Sequence, residues 1–149
     1  MFDRPNLSKP INFERLREAY AIIDGIPQEA FDLDAVVTKS DGNLKCGTIA
    51  CAAGWLMIHP KFARILKTKL SVDQDDPTDS YVDSDLNEDY DQAMMRLFNM
   101  NRDEVMQLFS FRNHSDGYVP DTEELSDKEV WKTRVRNFLV KKGRRIRAQ

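Results

Sequence analysis

Cysteine and histidine are scarce in this chain, with two of each among 149 residues. Cys46 and Cys51 are too few for a disulfide framework, so a reducing, intracellular setting is expected. No apolar run approaches the roughly 20 residues that a membrane helix needs. The opening Met1-Phe2-Asp3-Arg4-Pro5-Asn6 lacks a basic stretch followed by an apolar one. It therefore predicts no secretory leader and a cytoplasmic location. The sequence also lacks a Gly-rich phosphate loop, a Gly-x-Ser-x-Gly elbow and a His-Glu-x-x-His pair. A net charge of −3 argues against a generic nucleic-acid coat.

What is present is a globular composition, 41% hydrophobic and 32% charged. The length suits one domain, residues 1–149, with enough chain to bury a core. Helical signals recur. Asn12 is a candidate cap, followed by Phe13, Leu16, Ala19, Tyr20 and Ile23 at helical spacing, with Gly25 and Pro27 as the stop. Phe31-Asp32-Leu33-Asp34-Ala35 alternates, which predicts a short extended segment near 31–37. Asn101-Arg102-Asp103-Glu104 and Ser126-Asp127-Lys128-Glu129 both have the form of capping boxes. The first should open a helix carrying Val105, Leu108 and Phe109. The second should open one carrying Trp131, Val135, Phe138 and Leu139, with Gly143 at its end.

Ile49 to Ile58 is a run of ten residues without a polar side chain. It is too short to span a membrane, and a helix apolar all round is normally buried. We therefore expect an all-α fold of five or six helices around a central apolar helix at about 47–58. Pro60 should end or bend that helix. Phe62, Ile65, Leu66 and Leu70 predict a further helical segment, rich in lysine and arginine.

Charge is unevenly spread. Asp73 to Asp91 contains nine acids and no Lys or Arg. Its first part, about 72–84, reads as a loop. Its second part reads as a helix start capped by Ser84 or Asp85, with Leu86, Tyr90, Ala93, Met94 and Leu97 as its apolar face. Ser126 to Gln149 holds nine bases against two acids. Its final stretch, 144–149, has little to hold it and reads as a frayed tail.

Three pieces resemble a family of small bacterial and phage proteins of uncharacterised activity. They are Gly25-Ile26-Pro27-Gln28-Glu29-Ala30-Phe31-Asp32-Leu33, Cys46-Gly47-Thr48-Ile49-Ala50-Cys51-Ala52-Ala53-Gly54-Trp55, and the stretch from Ala93 to Phe109. The motif Cys-Gly-Thr-x-x-Cys-x-Ala-Gly-Trp is the most specific of them. The resemblance implies a bacterial or phage origin, hence a bacterial host cytoplasm if phage-encoded. It brings no catalytic residue and no cofactor.

Three chemistries are worth weighing. Cys46 lies where the apolar helix is expected to begin, and a helix N-terminus stabilises a thiolate. Its base would have to be His59 or His114, and His59 is roughly 20 Å down a continuous helix. Zinc would need close ligand pairs, whereas Cys46 and Cys51 on one helix point about 140° apart. Asp83, Asp85, Asn87 and Asp89 imitate a calcium loop, but Glu88 and Met94 stand where that loop wants Gly and Glu. The expectation is no metal, no cofactor and no catalytic residue.

The preferred reading is a non-enzymatic protein-interaction module, a phage-encoded accessory protein that modulates a host or viral partner. Its candidate contact residues are Lys132, Arg136, Lys141, Lys142, Arg144, Arg145 and Arg147. The alternatives are a nucleic-acid-binding accessory protein using the same basic segment, and a Cys46-dependent enzyme. No membrane contact is expected.

Overall fold

A computed structural model describes residues 10–31, 51–72, 80–110 and 125–144. It shows a mostly helical, compact fold with six α-helices and one antiparallel strand pair among the described residues. None of these helices is long and apolar enough to cross a membrane.

Helix α1, Phe13–Asp24, begins as its sequence dictates, with Asn12 Oδ1 accepting the Arg15 backbone N–H at 3.0 Å. It buries Leu16, Ala19 and Ile23. Its start is stitched to the end of α4, Tyr90–Phe98: the Asn12 N–H donates to Phe98 O at 2.8 Å and Arg15 Nη1 to Leu97 O at 3.1 Å. After a 3-10 turn, Gln28–Ala30, Phe31 is buried and extended. The rest of the proposed 31–37 segment lies outside the described residues.

The central apolar helix is shorter than its sequence implied. Helix α2 is Ala52–Ile58, and all seven of its residues are buried. Its N-cap is Cys51, whose Sγ accepts the Gly54 N–H at 3.4 Å. The helix therefore starts six residues after Cys46, which lies outside the described residues. Trp55 anchors α2 to the 3-10 turn by donating Nε1–H to Ala30 O at 2.8 Å. At the far end His59 is extended, at φ −68° and ψ 132°. That conformation is what a following proline imposes, so Pro60 breaks the chain into a new helix, α3, Pro60–Leu66.

Two sequence expectations need correction here. Leu70 is not helical. Helix α3 stops at Lys67, which adopts the left-handed conformation, and Thr68–Val72 is strand β1. The spacing from Leu66 to Leu70 suited a helix, but Thr68, Leu70 and Val72 also alternate with period two. The stretch at 72–84 is not all loop either. Ser80–Ser84 is strand β2, paired antiparallel to β1 with Leu70 opposite Val82 and Lys69 opposite Asp83. A hydrogen bond from Asp85 N–H to Lys67 O at 2.9 Å extends the pairing past β2. Residues 73–79 lie outside the described residues.

Helix α4 starts later than Ser84 or Asp85. Ser84 Oγ accepts the Glu88 N–H at 3.1 Å and so closes a turn, leaving Leu86 outside the helix. Asp89 is the N-cap, and Gln92 Oε1 reaches back to its N–H at 3.0 Å. Helix α5, Arg102–Phe109, has the reciprocal box in full. Asn101 Oδ1 accepts the Glu104 N–H at 2.9 Å, and Glu104 Oε1 accepts the Asn101 N–H at 3.0 Å. Helix α6, Asp127–Lys141, has half of one. Ser126 Oγ accepts the Glu129 N–H at 3.2 Å, while the Glu129 carboxylate turns to Lys132 at 3.4 Å.

Helices α5 and α6 bury the stripes their periodicity marks, whereas in α3 Phe62 and Leu66 are buried and Ile65 is exposed. Val105, Leu108 and Phe109 of α5 meet Trp131, Val135, Phe138 and Leu139 of α6 in one core with α1, α2 and α4. Phe109 packs against Phe98 and Trp131, with ring centroids 6.0 and 6.1 Å apart.

Candidate functional site

The bases of α6 are the residues the sequence put forward, and tertiary contacts divide them. Lys132 reaches the end of α1: its Nζ lies 2.6 Å from Asp24 Oδ1 and 5.5 Å from the centre of the Tyr20 ring. The hydrogen bond to Asp24 raises the Lys132 pKa above its ordinary value, and the same bond lowers that of Asp24. Lys128 donates to the carbonyls of Asp24 and Ile26 at 2.8 and 2.9 Å, satisfying acceptors left free at the end of α1. Arg134 is buried and donates Nη1–H to Ser110 O at 2.7 Å, just beyond α5.

The remaining bases lie near the C-terminal end of α6. Arg136 is exposed and donates to the Tyr20 hydroxyl at 2.7 Å and to Thr133 Oγ1 at 3.1 Å. Lys142 pairs with Glu104 at 3.1 Å. Arg144, the first residue of the proposed frayed tail, lies 4.8 Å from the Phe13 ring centre, and its N–H bonds Leu139 O at 2.7 Å. Lys141 is exposed and makes no ion pair among the described residues. Arg145 and Arg147 lie outside them. Val140 is the exception among the apolar residues of α6, at 73% exposure beside Arg136 and Lys141.

A second locus was not legible in the sequence. An open cleft of about 530 Å³ is lined by Met57, Val82, Glu88, Asp89, Tyr90, Asp91 and Arg102. It lies where α2 and β2 meet the first turns of α4 and α5. Met57 is buried and Val82 partly so, giving an apolar floor. Glu88 is committed elsewhere. Its side chain is 0% exposed and pairs with Arg96 at 2.8 Å, while Arg96 also donates to Leu66 O at 3.0 Å. Asp91 Oδ1 accepts the Gln92 N–H at 3.0 Å, and its Oδ2 lies 3.8 Å from Arg102 Nη1. Burial raises the Tyr90 pKa, and the carboxylate of Asp91 and the thiol of Cys51 add to the shift, so the phenol stays neutral. In the sequence these acids read as helix-start residues. Only folding brings Arg102, Met57 and Val82 to them.

Of the other suspected residues, Cys51, His59, Asp83, Asp85, Asn87 and Asp89 fall within the described residues. Cys51 is a buried residue whose Sγ accepts the Gly54 N–H. It stands one α2 length from His59, whose Nδ1 accepts the Lys61 N–H at 3.2 Å. His114, like Cys46, lies outside the described residues. The calcium-like acids are dispersed. Asp83 lies in β2, 3.9 Å from Lys69, and Asp89 caps α4. Among the described residues no three His, Cys, Asp or Glu side chains are grouped to hold a metal ion.

The chain matches no protein-family model, no curated protein and no solved structure.

Proposed function

We propose that the protein is a non-enzymatic interaction module that docks a protein partner through the exposed C-terminal end of α6. In this reading it is a phage-encoded accessory protein acting on a host or viral target in the bacterial cytoplasm. The observation that carries it is Val140, 73% exposed on a helix whose other apolar residues, Val130, Trp131, Val135, Phe138 and Leu139, are all buried. With Arg136 and Lys141 beside it, this end of the helix offers an apolar contact rimmed by cations. That combination suits an acidic protein surface.

The nucleic-acid reading uses the same segment and is weaker. A phosphate-binding face needs free cations. Lys128, Lys132, Arg134 and Lys142 are instead bonded to carbonyls or carboxylates of α1, α5 and their flanks. An exposed valine adds nothing to phosphate contact.

A photo-crosslinking residue in place of Val140, used in the native or infected cell, tests the proposal. Paired anisotropy measurements with duplex DNA and single-stranded RNA complete it. The expected result is a discrete cross-linked protein that disappears when Lys141→Glu is added, and no salt-sensitive binding of either nucleic acid. Tight nucleic-acid binding that falls steeply with salt and is lost in Lys141→Glu would replace this reading with the other.

A further inference from the structure

We propose that the cleft between β2 and the starts of α4 and α5 is a binding site for an alkylguanidinium, with the Asp91 carboxylate as its anchor. This inference is independent of the α6 docking face. Its volume of about 530 Å³ falls in the range of small-molecule sites, roughly 300–1,000 Å³. The lining is divided as such a ligand requires. Met57 and Val82 form an apolar floor for an alkyl stem, and Tyr90 offers an aromatic surface beside the acids Asp89 and Asp91.

The charge balance selects a cation. Glu88 is neutralised by Arg96, which leaves Asp89 and Asp91 against Arg102. Asp91 is also divided atom by atom. Oδ1 serves the first turn of α4, while Oδ2 faces Arg102 at 3.8 Å, too far for a hydrogen bond. The Asp91 side chain is 18% exposed and that of Arg102 is 68% exposed. The carboxylate is thus fixed and largely shielded, and its partner is loosely held at the rim.

That partner identifies the ligand class. Arg102 is a guanidinium on an alkyl stem, placed by the fold beside Asp91 and close enough to Tyr90 to affect its ionisation. It stands in for the ligand at arm's length. A free alkylguanidinium can come closer, forming the direct bonds to Oδ2 that Arg102 does not make and stacking on Tyr90. An ammonium has a charge but no planar fork or stacking face, so it should bind less well.

Titration of the full chain with N-butylguanidinium, followed by amide NMR shifts, tests the site, with N-butylurea as the neutral control. We expect saturable shifts at Val82, Tyr90, Asp91 and Arg102, and none with the urea. Asp91→Asn should weaken binding about tenfold or more by removing a charge-assisted bond. Arg102→Ala is the decisive variant, because its exposed side chain can be removed without loss of fold. It should tighten binding several-fold if Arg102 competes for Asp91. Weaker binding in Arg102→Ala, equal shifts with the urea, or no saturable shift in either wild type or Arg102→Ala would overturn the proposal.

Discussion

Leu56 lies midway along α2 with no exposed surface, in a segment whose every residue is buried. Truncation there removes apolar contact and leaves a cavity that rigid neighbours fill poorly. Leu56→Ala should therefore cost about 2–5 kcal/mol in urea unfolding. His59 acts at the same scale through a single nitrogen. Its Nδ1 must be unprotonated to accept the Lys61 N–H, and burial, with the Lys61 charge, lowers its pKa from the ordinary histidine value. The unfolded chain then binds the proton more readily than the folded one. Stability should be full above about pH 6.5 and fall as pH drops from there through the lowered folded pKa. His59→Asn keeps a capping oxygen without a titrating group. Urea midpoints at about pH 7.5 and 5.5 should differ less in this variant than in wild type.

Between elements, a few polar contacts decide how helix ends meet. Glu88 and Arg96 are the firmest case. The carboxylate is fully buried just before α4, and Arg96 carries the link on to the carbonyls of Ile65 and Leu66 at the end of α3. Burying such a pair is not stabilising in itself, but removing one member strands the other. Glu88→Ala should cost about 3–5 kcal/mol, while Glu88→Gln, which retains an acceptor, should cost less. Equal losses in thermal unfolding would show that the charge, rather than the shape or the retained acceptor, matters there. The β1–β2 pair illustrates a related point. Its residues could be read with helical or strand spacing, and the left-handed Lys67 together with the partner strand settles the matter.

Across the whole molecule, α6 closes the structure onto α1 and α5, using its cations as well as its apolar stripe. Lys132 and Asp24 bridge α6 and α1, and each shifts the other's ionisation toward the charged form. Because Asp24 is more than half exposed, the pair should contribute only about 0.2–1 kcal/mol. The depressed Asp24 pKa fixes the sign. The contribution is present above about pH 4 and lost as pH falls through the folded value. The raised Lys132 pKa sets the other limit, above about pH 10. Asp24→Asn should lower the thermal midpoint slightly at neutral pH. The difference from wild type should shrink in acid and in high salt.

The sequence by itself determined the helical class, the buried stripes of α1, α5 and α6, and the caps at Asn12, Asn101 and Ser126. These depend on residues within a turn or two of each other, so periodicity and capping chemistry reveal them without knowledge of the fold. It also marked the apolar run that contains α2, though not its start at Ala52, because the capping role of Cys51 resembles that of no usual capping residue. Tertiary structure decided the rest. The strand pair joins Thr68–Val72, just before the acidic stretch, to Ser80–Ser84 within it, and the α6 cations are sorted by partners as distant in sequence as Asp24 and Glu104. The cleft brings Met57, Val82, Asp91 and Arg102 together from four elements. Each of these is a contact between distant parts of the chain, chosen by which surfaces the packed helices bring within reach, and no local pattern encodes it.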